Sequence, residues 1–264
     1  MNRLIDSDSL KKIQLDILKS IDLFCVKNNI KYFLCGGSCI GAIRHNGFIP
    51  WDDDIDVAMP REDFDFFVHH FFGEHYRVFT SKDKKYFFPF CKVSDIRTTI
   101  QEKNSDSIPG MGVFVDVFPI DGLGNDFNKA VNTVLKNQKS FFKIYKGTWK
   151  IQSILKPKNF FRLLCKIRST VFRKRMLNNL EKTCKGISFD KSEYCGVAFG
   201  FYGKKEVMKK DYYIDYKLVQ FENYMFRVPI GYDCYLKTMY GNYLELPPKE
   251  KQKTHHSFDA YWRN

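Results

Sequence analysis

The spacing of apolar residues is helical at the start of the chain and becomes strand-like further on. Over residues 9–29, apolar residues recur every three or four positions after a stretch rich in Ser and Asp, which predicts an amphipathic first helix. Another helix is predicted from Pro60, because a proline and two acids occupy its first turn. Short apolar runs predict strands at residues 31–35, 86–93, 98–102 and 112–119.

Four aspartates stand within five residues, at positions 52, 53, 54 and 56, and run directly into an apolar pattern. If residues 52–57 are extended, Asp54 and Asp56 share one face of a strand and Asp52 joins them at its mouth. Repulsion of roughly 2.5 kcal/mol between each pair would be relieved by a divalent cation. Oxygen-only ligands favour Mg²⁺ or Mn²⁺ over zinc. The ordinary alternative is an acidic turn.

Two other motifs extend this hypothesis. The strand at 31–35 is followed by Gly36, Gly37 and Ser38, where residues without a Cβ let backbone amides approach a phosphate. A hairpin-like return through a turn at residues 46–47 would bring this loop to the carboxylates. Asp116 stands alone in an apolar strand, where burial requires a partner or a metal. The alternative for Asp116 is an edge strand with the acid facing water.

The order of these motifs resembles the nucleotidyltransferase superfamily. The longer string GGSCIGAIRHNGFIPWDDDIDVAMPREDF, together with GVFVDVFPIDG and YGNYLELPPKEKQKTHH, resembles the LicD family, which includes cholinephosphotransferases of bacterial surface glycans and, more distantly, fukutin-related transferases. The resemblance extends from about residue 35 to residue 256. It implies an α+β fold, with a nucleotidyltransferase-like mixed sheet flanked by helices and an added basic helical region.

The resemblance also implies an activity, in which a phospho-alcohol moves from a CDP-alcohol donor to a sugar hydroxyl of lipopolysaccharide or another cell-surface glycan. Phosphocholine is the first candidate for the group transferred. Position 39 is Cys where the family more often has a small or aliphatic residue, which bears on packing rather than chemistry. Two alternatives stay open: a nucleotidyltransferase that attaches an NMP to a small molecule or protein, and a non-catalytic scaffold that binds membranes or polyanions.

The candidate site residues, of which the aspartates, Arg44 and the histidines rest on the resemblance, fall into three groups. The catalytic residues are Asp52, Asp54, Asp56 and Asp116, with His255 and His256 as candidates for acceptor positioning or proton transfer. The metal ligands are Asp54, Asp56 and Asp116. The donor is bound by Gly36, Gly37, Ser38, Arg44 and Lys92. For Arg44 a bidentate contact with phosphate is as plausible from the residue alone as a surface position, and for Lys92 neutralisation of a diphosphate is the hypothesis.

Positive charge is concentrated in one segment. Residues 127–180 contain fourteen Lys or Arg and no acid, so this segment carries +14 and the rest of the chain −1. A helix is predicted at 127–149, and an amphipathic basic helix around 160–175 is typical either of contact with an anionic membrane or of a solvated helix face. Nucleic acid is an unlikely partner, since no RNA-reading module accompanies the charge.

The remaining expectations concern organisation and location. We expect a catalytic core at 1–126, a basic helical region at 127–200 and a C-terminal part at 201–264 that completes the site, or all three within one domain. No run of about 18 apolar residues and no signal-peptide pattern occurs, which predicts a cytoplasmic protein, peripheral to the inner face of the membrane if the basic helix binds lipid. The eight cysteines include no CxxC pair and are expected to be reduced.

Overall fold

The computed structural model describes residues 3–148, 160–254 and 258–263. The helices are α1 (Ser7–Lys27), α2 (Gly36–His45), α3 (Arg61–His70), α4 (Phe127–Tyr145), α5 (Phe160–Cys184) and α6 (Tyr232–Tyr240). The strands are β1 (Phe33–Leu34), β2 (Asp56–Pro60), β3 (Tyr76–Phe79), β4 (Cys91–Asp95), β5 (Thr98–Glu102), β6 (Phe114–Gly124), β7 (Tyr194–Gly196), β8 (Met208–Lys209), β9 (Tyr216–Phe221), β10 (Tyr224–Pro229) and β11 (Phe258–Trp262).

A mixed sheet forms the centre of the molecule. Five of its seven strands follow the order β1-β2-β6-β4-β3, and β7 and β8 continue from the far end of β6. The pairing of β2 with β6 is parallel, and the other pairings are antiparallel. Helices and two small antiparallel pairs, β9 with β10 and β11 with β5, surround it. The predicted α+β class, with a mixed sheet flanked by helices, is confirmed.

Several predicted elements lie close to their expected positions, and others differ. The helices α1 and α3 and the strand β5 begin where the sequence pattern places them, to within two residues. The strand predicted at 86–93 starts only at Cys91, because the aromatic stretch before it is a loop in which the Tyr86 hydroxyl donates to the Phe90 carbonyl at 2.9 Å. The stretch at residues 204–226, whose sequence pattern is ambiguous between helix and strand, contains β8, β9 and the start of β10.

The predicted glycine loop is wrong, because Gly36 already belongs to α2. The hairpin-like return is therefore replaced by a ten-residue helix, which ends at Asn46 in the left-handed conformation (φ 53°). The strands on either side of this helix still pair, with Phe33 opposite Ala58. The outcome for the acids is that β2 begins at Asp56 and the residues from 52 to 55 precede the strand.

The helix α3 holds the exit of β2 against the centre of the sheet. Arg61, the first residue of α3, donates from Nε and Nη2 to the two carboxylate oxygens of Asp121 on β6, at 2.6 and 3.1 Å. Both side chains are buried, so this bidentate pair fixes the helix to β6. The parallel alignment of β2 with β6 is thereby braced at the end opposite the acids.

The three predicted segments share sheets and cores. β7 of the second segment pairs with β6 of the first, and β11 of the third pairs with β5. The helices α4 and α5 bury one set of apolar residues together, which includes Phe141, Leu177 and Leu180. Within the described ranges, no helix has both the length and the apolar character needed to cross a bilayer.

Candidate active site

A cavity of about 1160 Å³ lies where α2, the acidic segment, β4, β6 and the C-terminal part of the chain meet. Four of the predicted acids line it, namely Asp52, Asp54, Asp56 and Asp116. Gly36, Gly37, Arg44 and Lys92 also line it. The structure therefore brings eight predicted residues from four elements to one wall. His255 and His256 lie outside the described residues.

The sheet register places Asp56 and Asp116 side by side. Asp56 opens β2 and is opposite Asp116 in the parallel pairing with β6, whose backbone donates from Asp116 N to Ile55 O at 3.0 Å. Asp116 is 8% exposed and its strand lies between β2 and β4, so the edge-strand alternative is wrong. Two adjacent parallel strands thus present carboxylates from neighbouring positions to the same cavity.

The acids that precede β2 form a second group. Asp52, Asp53 and Asp54 each offer a carboxylate oxygen, and these oxygens lie within 4.8 Å of one another. Gln14 of α1 donates from Nε2 to the Asp53 carbonyl at 2.9 Å and ties this segment to the first helix. In an extended segment the Asp53 side chain would face away from Asp52 and Asp54, so strand alternation does not predict Asp53 as a ligand. The segment is irregular, so strand alternation does not apply to it.

Burial and like charge combine at Asp56. The pKa of its carboxyl is raised well above the usual range, first by burial and then by Asp54, Asp116 and Asp52, and Lys92 opposes this only in part. The cluster therefore resists full ionisation by itself. Bringing these carboxylates to the charged form together requires additional positive charge in the cavity.

Lys92 provides positive charge to one member of the cluster. It lies opposite Asp116 on β4, and its Nζ is 2.5 Å from Asp116 Oδ1. The same ammonium lies 3.6 Å from the ring centre of Phe114 and within 5.4 Å of the rings of Phe88 and Phe90. The structure thus holds Lys92 in an aromatic site beside Asp116, rather than extended toward open solvent.

The two glycines at the start of α2 allow the acids to approach the helix. A Cβ added at Gly36 would lie 2.9 Å from Asp56 Oδ2, and one at Gly37 would lie 2.5 Å from Asp52 Oδ2. The positive end of the helix dipole thus faces these carboxylates. Ser38 is buried and its Oγ accepts from the Asp56 amide at 2.8 Å, so it joins α2 to β2 rather than lining the cavity.

Arg44 connects α2 to the C-terminal segment that closes the cavity. Its Nη1 donates to the carbonyls of Tyr243 and Glu245 at 2.7 and 3.2 Å, and its Nε contacts His45 Nε2 at 2.9 Å. In this structure Arg44 therefore positions the chain near residues 243–245. Its side chain still lines the cavity, where its charge is available to a phosphate.

Sequence reasoning missed a second part of the cavity wall. Glu206 lines it at 7% exposure, together with aromatic residues from α6 and from the chain just before Glu206. Burial raises the pKa of the Glu206 carboxyl to about 7. Its only sequence signal is a glutamate after a run rich in glycine and aromatic residues, GVAFGFYGKKE, which has no specific spacing.

Comparison with known proteins places these residues in a family. The model of the LicD/FKTN/FKRP nucleotidyltransferase domain matches residues 29–148. The lipopolysaccharide cholinephosphotransferase LicD of Haemophilus influenzae is 35% identical over 269 aligned positions, which cover 96% of this chain and 98% of that protein. The human ribitol 5-phosphate transferase FKRP is 50% identical over 34 residues, 13% of this chain and 7% of that protein.

Proposed function

The chain belongs to the LicD family, and we propose that it transfers a phospho-alcohol from a CDP-alcohol to a sugar hydroxyl of lipopolysaccharide or another cell-surface glycan. Phosphocholine is the first candidate for the transferred group. The observation that carries the proposal is the register of Asp56 and Asp116 on adjacent strands of one cavity, with Asp52 and Asp54 beside them. The likeness to a cholinephosphotransferase along nearly the whole chain supports the substrate class.

The acid end of the cavity suits Mg²⁺ or Mn²⁺. Its donor set is made of carboxylate oxygens, and the raised pKa of Asp56 indicates that burial and the neighbouring carboxylates outweigh the charge of Lys92. Asp54, Asp56 and Asp116 would hold the ion; among the described residues, the carboxylate oxygens that already lie within 4.8 Å of one another belong to Asp52, Asp53 and Asp54, so Asp54 is common to both groups. The ion would supply charge neutralisation for the diphosphate of the donor.

The chain's own residues account for the remaining requirements of in-line transfer. The sugar oxygen forms a bond to the phosphorus that carries the alcohol, and the bond from that phosphorus to the bridging oxygen of CMP breaks. Asp52, at the mouth of the cavity, would accept the proton of the sugar hydroxyl. Arg44 would contact the donor phosphates, and Lys92 would balance part of the charge at the acid end through its ion pair with Asp116.

The product of the reaction tests this function. The purified protein is incubated with Mg²⁺ and CDP-choline, CDP-ethanolamine, CDP-ribitol or CDP-glycerol, and nucleotide products are separated by chromatography. We expect slow release of CMP from at least one donor without an acceptor, and faster release with lipopolysaccharide. Release of pyrophosphate from CTP in place of CMP from these donors would support the nucleotidyltransferase alternative. Absence of turnover with every donor would support the non-catalytic scaffold.

We also propose that α5 holds the protein on an anionic membrane that carries the acceptor. Its C-terminal half buries Leu177 and Leu180, whereas four apolar residues nearer its start are exposed, namely Leu164, Ile167, Val171 and Phe172. Arg168, Lys174 and Arg175 are exposed on the same helix. Exposed apolar side chains and cations together supply the two attractions to an anionic bilayer, although they are mixed on α5 and do not form the separate faces predicted for an amphipathic helix.

Arg173 does not belong to this surface. Its Nη1 donates to the carbonyls of Asp83 and Tyr86 at 2.6 and 2.7 Å, so its replacement would disturb the loop before β4. The membrane test therefore replaces Arg168, Lys174 and Arg175 by Gln and measures sedimentation with liposomes containing phosphatidylglycerol. We expect weaker binding that falls further with salt, and unchanged CMP release from the donor. A control replaces Lys27, Lys191 and Lys209, and equal binding of both variants would contradict the proposal.

A further inference from the structure

Glu206 is a buried carboxylate on the cavity wall that the transfer step does not use. It ends a 3₁₀ turn at Gly203–Glu206 and is 7% exposed. Its Oε1 accepts from the Tyr202 amide at 3.2 Å. In the part of the chain that the structure describes, Glu206 forms no ion pair with a lysine, arginine or histidine. A buried carboxylate in this position is unfavourable unless a cation reaches it.

The backbone around Glu206 makes room for it. A Cβ added at Gly200 would lie 2.1 Å from Glu206 Oε1, so the carboxylate packs directly over that glycine. A Cβ at Gly196 would lie 1.8 Å from the Glu206 carbonyl oxygen. Two positions without a side chain thus allow the turn to pack against β7, with Glu206 in the lining of the cavity. The backbone at these two glycines therefore creates the space that Glu206 occupies.

Aromatic residues from α6 and from the chain just before Glu206 line the cavity together with this carboxylate. Phe199, Tyr202, Tyr235 and Tyr240 line the cavity together with Glu206. The rings of Tyr202 and Tyr240 meet edge to face, with their centres 5.7 Å apart. Aromatic faces next to a carboxylate attract an organic cation, above all a quaternary ammonium, which has no N–H to donate and relies on such surfaces.

The other aromatic group of the cavity is already occupied. Phe88, Phe90 and Phe114 contact the ammonium of Lys92, which also pairs with Asp116. That group therefore has its own cation, supplied by the chain. The wall around Glu206 has the same two components, aromatic rings and a carboxylate, and no described side chain supplies the cation.

The two walls meet beside Cys35, because the Gly36 amide at the start of α2 donates to the hydroxyl of Tyr235 on α6 at 2.9 Å. The pKa of the Cys35 thiol is raised first by burial and then by the charges of Asp56 and Glu206, among others, so both carboxylates act on the same group. The pKa of Tyr240 is also raised, mainly by burial, with a contribution from Asp56. A phosphocholine group, whose phosphate and ammonium are separated by one oxygen and two carbons, is the kind of ligand that would bring its two charges to two such neighbouring walls.

We propose that Glu206, with Tyr202 and Tyr240, forms the subsite for the positively charged head of the donor alcohol, and that this chain therefore selects CDP-choline over CDP-polyols. The inference rests on the proposed function, because it assigns the alcohol end of the same donor. Glu206 binds the trimethylammonium by charge, the tyrosine rings enclose its methyl groups, and the acid end holds the phosphates. An uncharged polyol gains nothing from this wall and leaves Glu206 buried without a cation.

The test compares donors rather than absolute rates. In the full-length protein with Mg²⁺, kcat/KM for CMP release is measured with CDP-choline and with CDP-glycerol, for the parent and for Glu206→Gln. We expect the parent to prefer CDP-choline, and the substitution to lower kcat/KM for CDP-choline about 30-fold while changing that for CDP-glycerol less than about threefold. Glu245→Gln, which changes an exposed carboxylate on the cavity wall, is the matched control and should keep the preference.

A second measurement keeps the subsite testable without turnover. Choline chloride should raise the melting temperature of the parent more than equal concentrations of sodium chloride or glycerol do. Glu206→Gln should lose this increase. A variant that keeps the parental ratio of the two donors, or the parental choline effect, would overturn the inference. A parent that cleaves no CDP-alcohol contradicts the proposed function, and the choline effect then decides the subsite by itself.

Discussion

The two walls of the cavity contain buried carboxylates that arise from opposite arrangements in the sequence. The acid end is made from positions 52–56 and from Asp116, which lies on the strand beside Asp56. The wall around Glu206 is assembled from residues 199–206 and from α6, and it contains one acid among aromatic rings. A site in which several acids repel one another is recognisable as a cluster of acids in the sequence. A site with one charge in apolar surroundings has no such pattern.

The electrostatic cause also differs between the walls. At Asp56, burial is followed by three like charges as the reasons for the raised pKa, so a divalent cation relieves the largest part of the repulsion. At Glu206, burial is the main reason, and the Tyr202 amide opposes it. A monovalent organic cation, which itself prefers to leave water for aromatic surroundings, is sufficient there.

The largest expected effect comes from removing a carboxylate at the acid end. Asp54→Asn or Asp56→Asn should lower phospho-alcohol transfer about a thousandfold, roughly 4 kcal/mol, because the ligand set loses charge where the diphosphate is held. The fold should persist and become slightly more stable without metal, since one repelling charge is gone. Activity assays and thermal melts with and without Mg²⁺ measure both effects.

The control for these variants is Asp211→Asn, an exposed acid outside the cavity, which should retain activity and the stabilisation by Mg²⁺. If Mg²⁺ raises the melting temperature of the parent and of Asp54→Asn by the same amount, the acid cluster is not the metal site. The contrast between the two walls would then lose its basis, since neither would require a divalent ion.

Features that depend on neighbouring residues could be predicted from the sequence, and features that depend on long-range contacts could not. The strand carrying Asp116 and the presence of a cavity acid cluster follow from local patterns, because strand alternation and consecutive acids are properties of neighbouring residues. The parallel register that pairs Asp56 with Asp116 depends on long-range packing, including the Arg61–Asp121 pair. The sequence predicts a loop at Gly36, because glycine has low helix propensity. The close approach of the acids, which requires glycine at the start of α2, is a tertiary contact that local sequence does not reveal.

An effect of intermediate size is expected in the pH dependence of the free energy of unfolding when Glu206 is replaced. The Glu206 carboxyl has a folded-state pKa of about 7, above its ordinary value of 4.5, so the folded state favours the protonated form. The contribution of this group to the free energy of unfolding is fully present below about pH 4.5. It falls by roughly 3 kcal/mol as the pH rises to about 7. Glu206→Gln should therefore match the parent at pH 4 and exceed its stability at pH 8.

Urea unfolding at several pH values measures this difference, and the variant-minus-parent curve removes contributions from other groups. Choline at saturating concentration should reduce the advantage of Glu206→Gln at pH 8, because the parent then binds a cation at its buried charge. Parallel stability curves for parent and variant from pH 4 to pH 8 would show that Glu206 is not held in an unfavourable charged state.

The smallest expected effect tests the close approach between α2 and the acid end. Gly37→Ala should raise helix propensity by roughly 0.5–1 kcal/mol, yet its Cβ would lie 2.5 Å from Asp52 Oδ2 and displace that carboxylate. We expect little net change in the free energy of unfolding and about a tenfold loss of transfer, because Asp52 leaves its position. In an Asp52→Ala background the same substitution should stabilise the protein by about 1 kcal/mol more than in the parent, as a double-mutant cycle would record. Equal stability changes in the two backgrounds would show that Gly37 is required for another reason, and the glycines would then explain neither the approach of the acids nor the difference between the two walls.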